Sequence, residues 1–352
     1  MALTSKDFAA IRKELDDCAR PLYFFGDDGD GLCSFLLLYR YKREGKGVCV
    51  KAKPRLDRKF SLVVKDFAPD KIFILDVPMV DEDFIDDINV PIVWIDHHPA
   101  EVHGKVKYFN PRKDDPKENV CTTHLCYDVV KEDRESDLWI AMVGIVSDWQ
   151  LPSDLAHKFS SKYPDLLSDE VDRPEVALFG TELGRLVRMF NFLLNGKTPD
   201  VNKCVRILTR IDDPYEMMNR ESARSRLLGK RFDLINSQYE VLLKDAKESV
   251  KVDDPILLFT YTEDKMSFTS HLANELLYLY PKKVIIIARR KSGEMKCSLR
   301  VGGKRNIAKM VERSLVGVQG YGGGHENACG AMVKEEFFDQ FLEQLREEIA
   351  KE

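Results

Sequence analysis

The sequence predicts a two-part α/β protein. An N-terminal parallel sheet with crossover helices precedes a smaller C-terminal α/β domain, and a helical connector joins them. Three observations carry this reading. Short apolar runs alternate with segments of helical spacing through the first half of the chain. Three of those runs stop at acidic turns. A second β-rich pattern begins at Pro255, after a long polar stretch of helical character.

Taken in order, Ser5 can cap a first helix with Phe8, Ile11 and Leu15 at helical spacing, ended by Pro21. Leu22 to Phe25 reads as a buried strand. The turn Gly26-Asp27-Asp28-Gly29-Asp30-Gly31 leads into a helix carrying Leu32, Phe35, Leu36 and Tyr39. Val48-Cys49-Val50 is the next strand, ended by Pro54. Ile72 to Leu75 stops at Asp76, and Ile92 to Ile95 stops at Asp96, with a short helix over Glu82 to Asp87 between them. Strands and helices that alternate in this way make a parallel sheet. Acidic turns at the carboxyl ends of its strands lie where open α/β sheets place ligands. Helices are expected over Thr122 to Val130, Asp137 to Val146, Pro174 to Leu194 and Asn219 to Lys247. Strands at Ile256–Phe259, Val284–Ala288 and Lys296–Arg300 open the last domain. The expected boundaries are 1–195 for the first domain, 196–252 for the connector and 253–352 for the second domain.

The 352 residues and 44% apolar content suffice for two cores, since single cores stop growing near ~250–300 residues. The net charge of −5 argues against tight, sequence-independent duplex binding, which requires many phosphates to be neutralised. A basic stretch stands out against this charge: Pro281 to Arg313 holds eleven Lys or Arg against two Glu. It reads either as a solvated face or as a guide for an anionic substrate. No apolar run approaches the ~18 residues of a membrane span, and the opening Met1-Ala-Leu-Thr-Ser-Lys-Asp lacks a leader's apolar region. A cytoplasmic location is expected. The eight cysteines form no Cys-x-x-Cys pair and read as reduced, buried thiols rather than a zinc ribbon.

Four separated segments carry the chemistry: Asp28-Gly29-Asp30-Gly31, Asp76, Asp96-His97-His98-Pro99, and Asp148 in Gly144-Ile145-Val146-Ser147-Asp148-Trp149. Each alone has a structural reading as a solvated turn, cap or loop. Asp148 ends a helix, where a carboxylate opposes the dipole unless a cation offsets it. Together they can deliver Asp28, Asp30, Asp76, His97 and Asp148 to one crevice. Carboxylates mixed with imidazole suit Mn²⁺ or similar cations. His124 is a weaker candidate beside them, and His103, His157 and His271 read as surface or packing residues.

The order Asp28-x-Asp30-Gly31, Asp76, Asp96-His97-His98, Gly144-Ile-x-x-Asp148 resembles the four motifs of the DHH phosphoesterases. The resemblance implies two Mn²⁺ ions, with Mg²⁺ or Co²⁺ as substitutes, held by Asp28, Asp30, Asp76, His97 and Asp148, with Asp76 bridging. It implies that His98 contacts the scissile phosphate or assists proton transfer, and that Asp96 orients a histidine. Gly322-Gly323-Gly324-His325, followed by Ala328-x-Gly330-Ala331, is similar to the signature of the DHH-associated domain. The resemblance assigns substrate binding to Arg300, Gly322, Gly323, Gly324 and His325. A glycine run can cradle a phosphate on its N–H groups, and arginine can bind one bidentately.

One departure matters. The family's first motif carries a histidine shortly before the two aspartates, and here the positions hold Phe24 and Gly26. Asp27 or a water can take its place, or the first metal site is weak. The function implied is hydrolysis of phosphodiester bonds in short single-stranded oligonucleotides, as in nanoRNase-type or RecJ-like enzymes. Cyclic dinucleotides or another small nucleotide are alternative substrates. A RecJ-like scaffold in a replication or repair assembly is the contrasting reading. A homodimer is compatible with the sequence.

Overall fold

The computed structural model describes residues 3–51, 55–99, 104–262, 264 and 266–351; Pro54 and His103 lie outside them. The chain divides into two compact units, 1–232 and 233–352.

The first unit begins with α1 (Ser5–Asp16), β1 (Pro21–Gly26), α2 (Gly29–Lys42) and β2 (Lys46–Val50). Then come β3 (Arg55–Leu56), α3 (Ser61–Phe67), β4 (Lys71–Leu75), β5 (Met79–Val80), α4 (Glu82–Asp86), β6 (Ile92–Ile95) and β7 (Lys107–Phe109). Thr4, not Ser5, caps α1: its hydroxyl accepts the Asp7 N–H at 3.4 Å, and Asp7 accepts the Thr4 N–H at 2.7 Å. This reciprocal box fixes the start one residue earlier than the sequence alone suggests. The helix closes at Asp16, and Pro21 opens the strand rather than ending the helix.

Five strands form a parallel sheet in the order β2-β1-β4-β6-β7. β1 and β4 lie side by side, while β2 sits on the other flank of β1, so the topological switch falls between β1 and β4. The turns after these two strands carry Asp28 and Asp76. One sheet face packs Leu22, Phe24, Ile72, Ile74 and Trp94 into a core with Phe84 and Val64.

Helices complete the unit: α5 (Thr122–Val130), α6 (Leu138–Ser147), α7 (Ser153–Lys162), α8 (Pro174–Gly180), α9 (Glu182–Leu193), α10 (Thr198–Leu208) and α11 (Pro214–Asn219). The stretch read as one helix over Pro174–Leu194 is two. Thr181 breaks it with an extended backbone, φ −129°, and its hydroxyl caps α9 by accepting the Gly184 N–H at 3.1 Å. All eight cysteines are buried free thiols.

The division between units falls inside α12 (Ala223–Glu248). The second unit continues with β8 (Ile256–Tyr261), α13 (Thr269–Leu279), β9 (Val284–Lys291), β10 (Glu294–Arg300), α14 (Ile307–Ser314), β11 (Gly320–His325), β12 (Ala328–Lys334) and α15 (Phe338–Ala350). Its sheet runs β11-β12-β10-β9-β8, antiparallel except for the β8–β9 pair. Alternate residues of β10 and β12 (Met295, Cys297, Leu299; Cys329, Ala331, Val333) enter one core with α14 and α15.

Candidate metal centre

The acidic turns converge through backbone geometry. Asp28 is the N-cap of α2, and its Oδ1 accepts the Gly31 N–H at 3.0 Å. Asp30, in the first turn of α2, is 2% exposed. Its two oxygens accept the first two amides of α5: Thr122 N–H at 3.0 Å and Thr123 N–H at 2.6 Å. Unpaired amides at a helix N-terminus are suited to an anion. Here they fix a buried carboxylate in place.

Asp76 follows β4 in the left-handed region, φ 55°, and is 4% exposed. That conformation costs a non-glycine residue about 1–2 kcal/mol, though aspartate tolerates it better than most. It turns the chain sharply, and the buried carboxylate lies between Thr122 Oγ1 at 3.5 Å and His97 Nε2 at 3.5 Å.

His97 sits among three acids. Its Nε2 is 3.7 Å from Asp30 Oδ2, and its Nδ1 is 3.8 Å from Asp148 Oδ2. His98 is held differently. Its Nδ1 bonds the fully buried Asp96 at 2.8 Å, and its backbone N–H donates to the same carboxylate at 3.1 Å. Asp148, just after α6, accepts a hydrogen bond from Gln150 Nε2 at 2.8 Å, while Gln150 Oε1 accepts the Cys121 N–H at 3.1 Å. One side chain therefore ties Asp148 to the residue that opens α5.

Two sets of ligand atoms each fall within 4.8 Å: Asp76, His97 and His98; and Asp30, His97 and Asp148. The acids raise one another. Burial, then the charges of Asp30, Asp28, Asp96 and Asp148, pushes the Asp76 carboxyl well above its usual range. Burial and the same two neighbours, Asp30 and Asp28, push Asp148 up to about 8. Burial lowers the His97 imidazole. For His98, burial also opposes the charge, but the Asp96 hydrogen bond and charge prevail and raise it.

A divalent cation fits this arrangement. His97 Nδ1 is buried with no hydrogen-bond partner among the described residues. An orphaned buried nitrogen beside a carboxylate is costly unless something binds it. Carboxylates forced together in a dry site are stabilised by a positive charge at their focus.

All seven sequence-predicted residues of the first unit, Asp28, Asp30, Asp76, Asp96, His97, His98 and Asp148, meet here. Asp28 is the exposed outer member. His124 does not join the acids: its Nε2 lies 4.0 Å from Asp128 on its own helix. Thr122, Thr123, Gln150 and Asn110 escaped sequence reasoning. Asn110 donates to the His98 carbonyl at 2.9 Å and so braces the histidine loop. The signal for the threonines was the Thr122-Thr123 pair opening an apolar helix.

The remaining predicted residues belong to the second unit. Gly322, Gly323, Gly324 and His325 form an edge strand rather than an open loop, because β12 pairs with them along the whole run. Arg300 and His325 are both in register with Ala328, so the three share one line across the sheet. Gly323 stands opposite Gly330, with nothing within 4 Å of where a side chain would start. The Arg300 Nε donates to Asn274 at 2.7 Å and one terminal nitrogen to the Leu299 carbonyl at 2.9 Å.

Two family models match the chain: "DHH family, N-terminal domain" over residues 23–146 and "DHHA1 domain" over residues 257–351. The chain belongs to the DHH family. Solved structures agree in fold. RecJ from Thermus thermophilus in complex with Mn²⁺ superimposes with a TM-score of 0.71 at 15% identity, over 99% of this chain and 55% of that one. This chain therefore spans about half the length of that relative. An exonuclease RecJ bound to manganese matches with a TM-score of 0.61 at 13% identity, covering 100% of this chain and 96% of the other. A pGpG-specific phosphodiesterase, PggH from Vibrio, matches at 0.52 and 13%, over 95% and 99%. No curated protein is matched by sequence search. This is the DHH phosphoesterase fold, and members of the family are generally metal-dependent phosphoesterases.

Proposed function

We propose that this chain is a divalent-metal-dependent phosphodiesterase acting on short single-stranded oligonucleotides, a RecJ-like or nanoRNase-like hydrolase. The observation that carries the reading is the buried focus of Asp30, Asp76, His97 and Asp148, with an imidazole nitrogen that has no partner among the described residues. Asp28, Asp30, Asp76, His97 and Asp148 would hold the metal, with Mn²⁺ favoured and Mg²⁺ or Co²⁺ as substitutes. When bound, such cations supply Lewis acidity toward a phosphoryl oxygen and lower the pKa of water.

The chain's own residues supply the rest. Asp96 fixes the His98 tautomer from the Nδ1 side, which leaves Nε2 to contact a phosphate oxygen or donate a proton to the leaving oxygen. The raised pKa of His98 keeps the protonated form available near neutrality. In the second unit, His325 and Arg300 lie in line beside a glycine floor that lets a sugar-phosphate backbone approach the sheet.

A panel of end-labelled substrates tests this: dinucleotides to long single strands, RNA and DNA, and cyclic dinucleotides, with Mn²⁺. Cleavage that fades with substrate length, and is lost in Asp76→Ala, supports the proposal. No cleavage by folded wild type with Mn²⁺, Mg²⁺ or Co²⁺ sinks it.

A second reading, a weakly catalytic RecJ-like scaffold, is favoured by one observation. Phe24 is fully buried in the sheet core, and the space beyond Gly26 is filled by Asp76. Neither position offers the ligand that the family's first motif carries. Counting bound Mn²⁺ separates the readings: none bound at millimolar concentration favours the scaffold.

A further inference from the structure

A cavity of about 550 Å³ opens in the first unit between the edge strand β2 and helices α2 and α10. Its floor is apolar and aromatic, with Phe35 and Tyr39 from α2 and Val205 from α10. Phe35 and Tyr39 lie 5.4 Å apart between ring centres. Gly47 is what lets the Phe35 ring reach the strand: a Cβ there would fall 2.5 Å from the ring. The position is distinct from the metal centre. Asp30 is in the first turn of α2 and Tyr39 nine residues further on, a rise of roughly 13 Å along the helix.

The rim is cationic. Lys46, Arg206 and Arg210 line the cavity, and no Asp or Glu among the described residues does. Elsewhere in this unit arginines sit against acids, as in Arg12–Asp133, Arg40–Asp137, Arg58–Asp87 and Arg134–Asp137. Among the described residues, Lys46, Arg206 and Arg210 have no carboxylate partner. Lys46 lies over the Phe67 ring at 5.6 Å, and Arg206 Nε donates to the Asn202 carbonyl on its own helix at 3.3 Å. In a chain of net charge −5, three unneutralised cations around one concavity select for an anion. The volume lies within the ~300–1,000 Å³ typical of small-ligand sites, with an apolar floor and a few placed polar groups. Aromatic walls favour a flat, aromatic occupant.

We propose that this cavity binds an aromatic anion of mononucleotide size, with its ring against Tyr39, which the buried Phe35 supports from below, and its phosphate between Arg206, Arg210 and Lys46. The proposal does not rest on the phosphodiesterase reading. It is tested by titration calorimetry on the full chain with adenosine 5′-monophosphate, in buffer containing a chelator so that the metal centre carries no cation. Saturable binding at this cavity is expected, weakened about tenfold or more by Arg206→Glu with Arg210→Glu, since charge-assisted hydrogen bonds are lost. Adenosine and inorganic phosphate, each lacking half of the recognition, should also bind at least about tenfold more weakly. Tyr39→Leu should weaken adenosine 5′-monophosphate, while Arg58→Ala, at an exposed arginine paired with Asp87 outside the cavity, should leave it unchanged. The inference is overturned if adenosine 5′-monophosphate does not bind, if the arginine variants bind it as wild type does, or if inorganic phosphate binds equally well. Mn²⁺-dependent hydrolysis is read separately. Loss of hydrolysis in Asp76→Ala with nucleotide binding intact keeps the two questions apart.

Discussion

Asp30 and Thr123 grip each other twice. The Thr123 N–H donates to the Asp30 carboxylate at 2.6 Å, and the Thr123 hydroxyl donates to the Asp30 carbonyl at 2.8 Å. The first turn of α2 is thereby locked to the first turn of α5, and the acidic turn after β1 is fixed before any ion arrives.

Thr123→Val keeps the amide bond and the side-chain shape but removes the hydroxyl. Supporting residues of this kind typically cost ~10–100-fold in metal affinity when lost. We expect Mn²⁺ affinity to fall by about tenfold, read by titration calorimetry, with the fold intact by circular dichroism. Unchanged affinity would show that the amides alone hold Asp30.

The raised acids give a pH signature. The Asp148 carboxyl holds its proton up to about 8 when folded but releases it near 3.8 when unfolded. Below the lower value both states are protonated and the group is neutral to stability. As pH rises through the window the unfolded state ionises first, so the folded state binds more protons and stability falls with rising pH. Asp76 shifts in the same direction. The chelated protein should lose thermal stability between about pH 5 and pH 8. Mn²⁺, which favours the ionised acids, should flatten that slope. Melting curves at several pH values, with chelator and with Mn²⁺, check both. A slope of opposite sign would remove the buried-acid account.

Asp96 acts on His98 rather than His97. Asp96→Asn removes the charge and charged hydrogen bond that do most to raise the His98 pKa, so the balance shifts toward burial, which lowers it. A lost general-acid contribution is worth roughly 10²–10⁴-fold, so kcat/KM should fall by about a hundredfold. The basic limb of its pH profile should move to lower pH, whereas Mn²⁺ affinity changes little. A uniform loss with an unmoved limb would make Asp96 merely structural.

Far from the centre, Asp137 is fully buried and accepts from Arg40 Nε at 3.0 Å and Arg134 Nε at 2.8 Å. Arg40 also donates to the Ile211 carbonyl at 2.6 Å, tying α2 to the segment after α10. Asp137→Asn strands a buried guanidinium, at a cost of about 3–5 kcal/mol. Urea unfolding should show this loss, with Mn²⁺ binding retained at low denaturant.

The metal centre was legible because its residues coincide with element ends. Apolar strands stopping at Asp76 and Asp96, and a helix opening at Asp28, fix position in three dimensions once the sheet is parallel. The supports were not legible. Thr122, Thr123, Gln150 and Asn110 act through a few hydrogen bonds each, several of them between segments distant in sequence, and no periodicity marks these. The glycine run at 322–324 misleads in isolation. Glycine is weak in strands by propensity, and only the facing strand β12, with small Gly330 and Ala331 in register, makes it one. Thr181 likewise reads as an ordinary helical position until its hydroxyl is seen capping α9.

Gly26 shows why the first motif's departure is built into the packing. A Cβ there would sit 2.6 Å from the Asp76 carbonyl oxygen and 2.9 Å from its Oδ2. Since Asp76 is already held at a positive φ, it has little freedom to yield. Gly26→Ala should therefore displace the Asp76 carboxylate, destabilise the fold by ~1–3 kcal/mol as overpacked sites do, and weaken Mn²⁺ binding. Gly26→His should be no better, because the added imidazole enters through the same blocked direction. Metal titration and thermal melts on both variants decide the matter. If Gly26→His gains metal affinity instead, Asp76 is free to move, and the centre is more plastic than its hydrogen bonds imply.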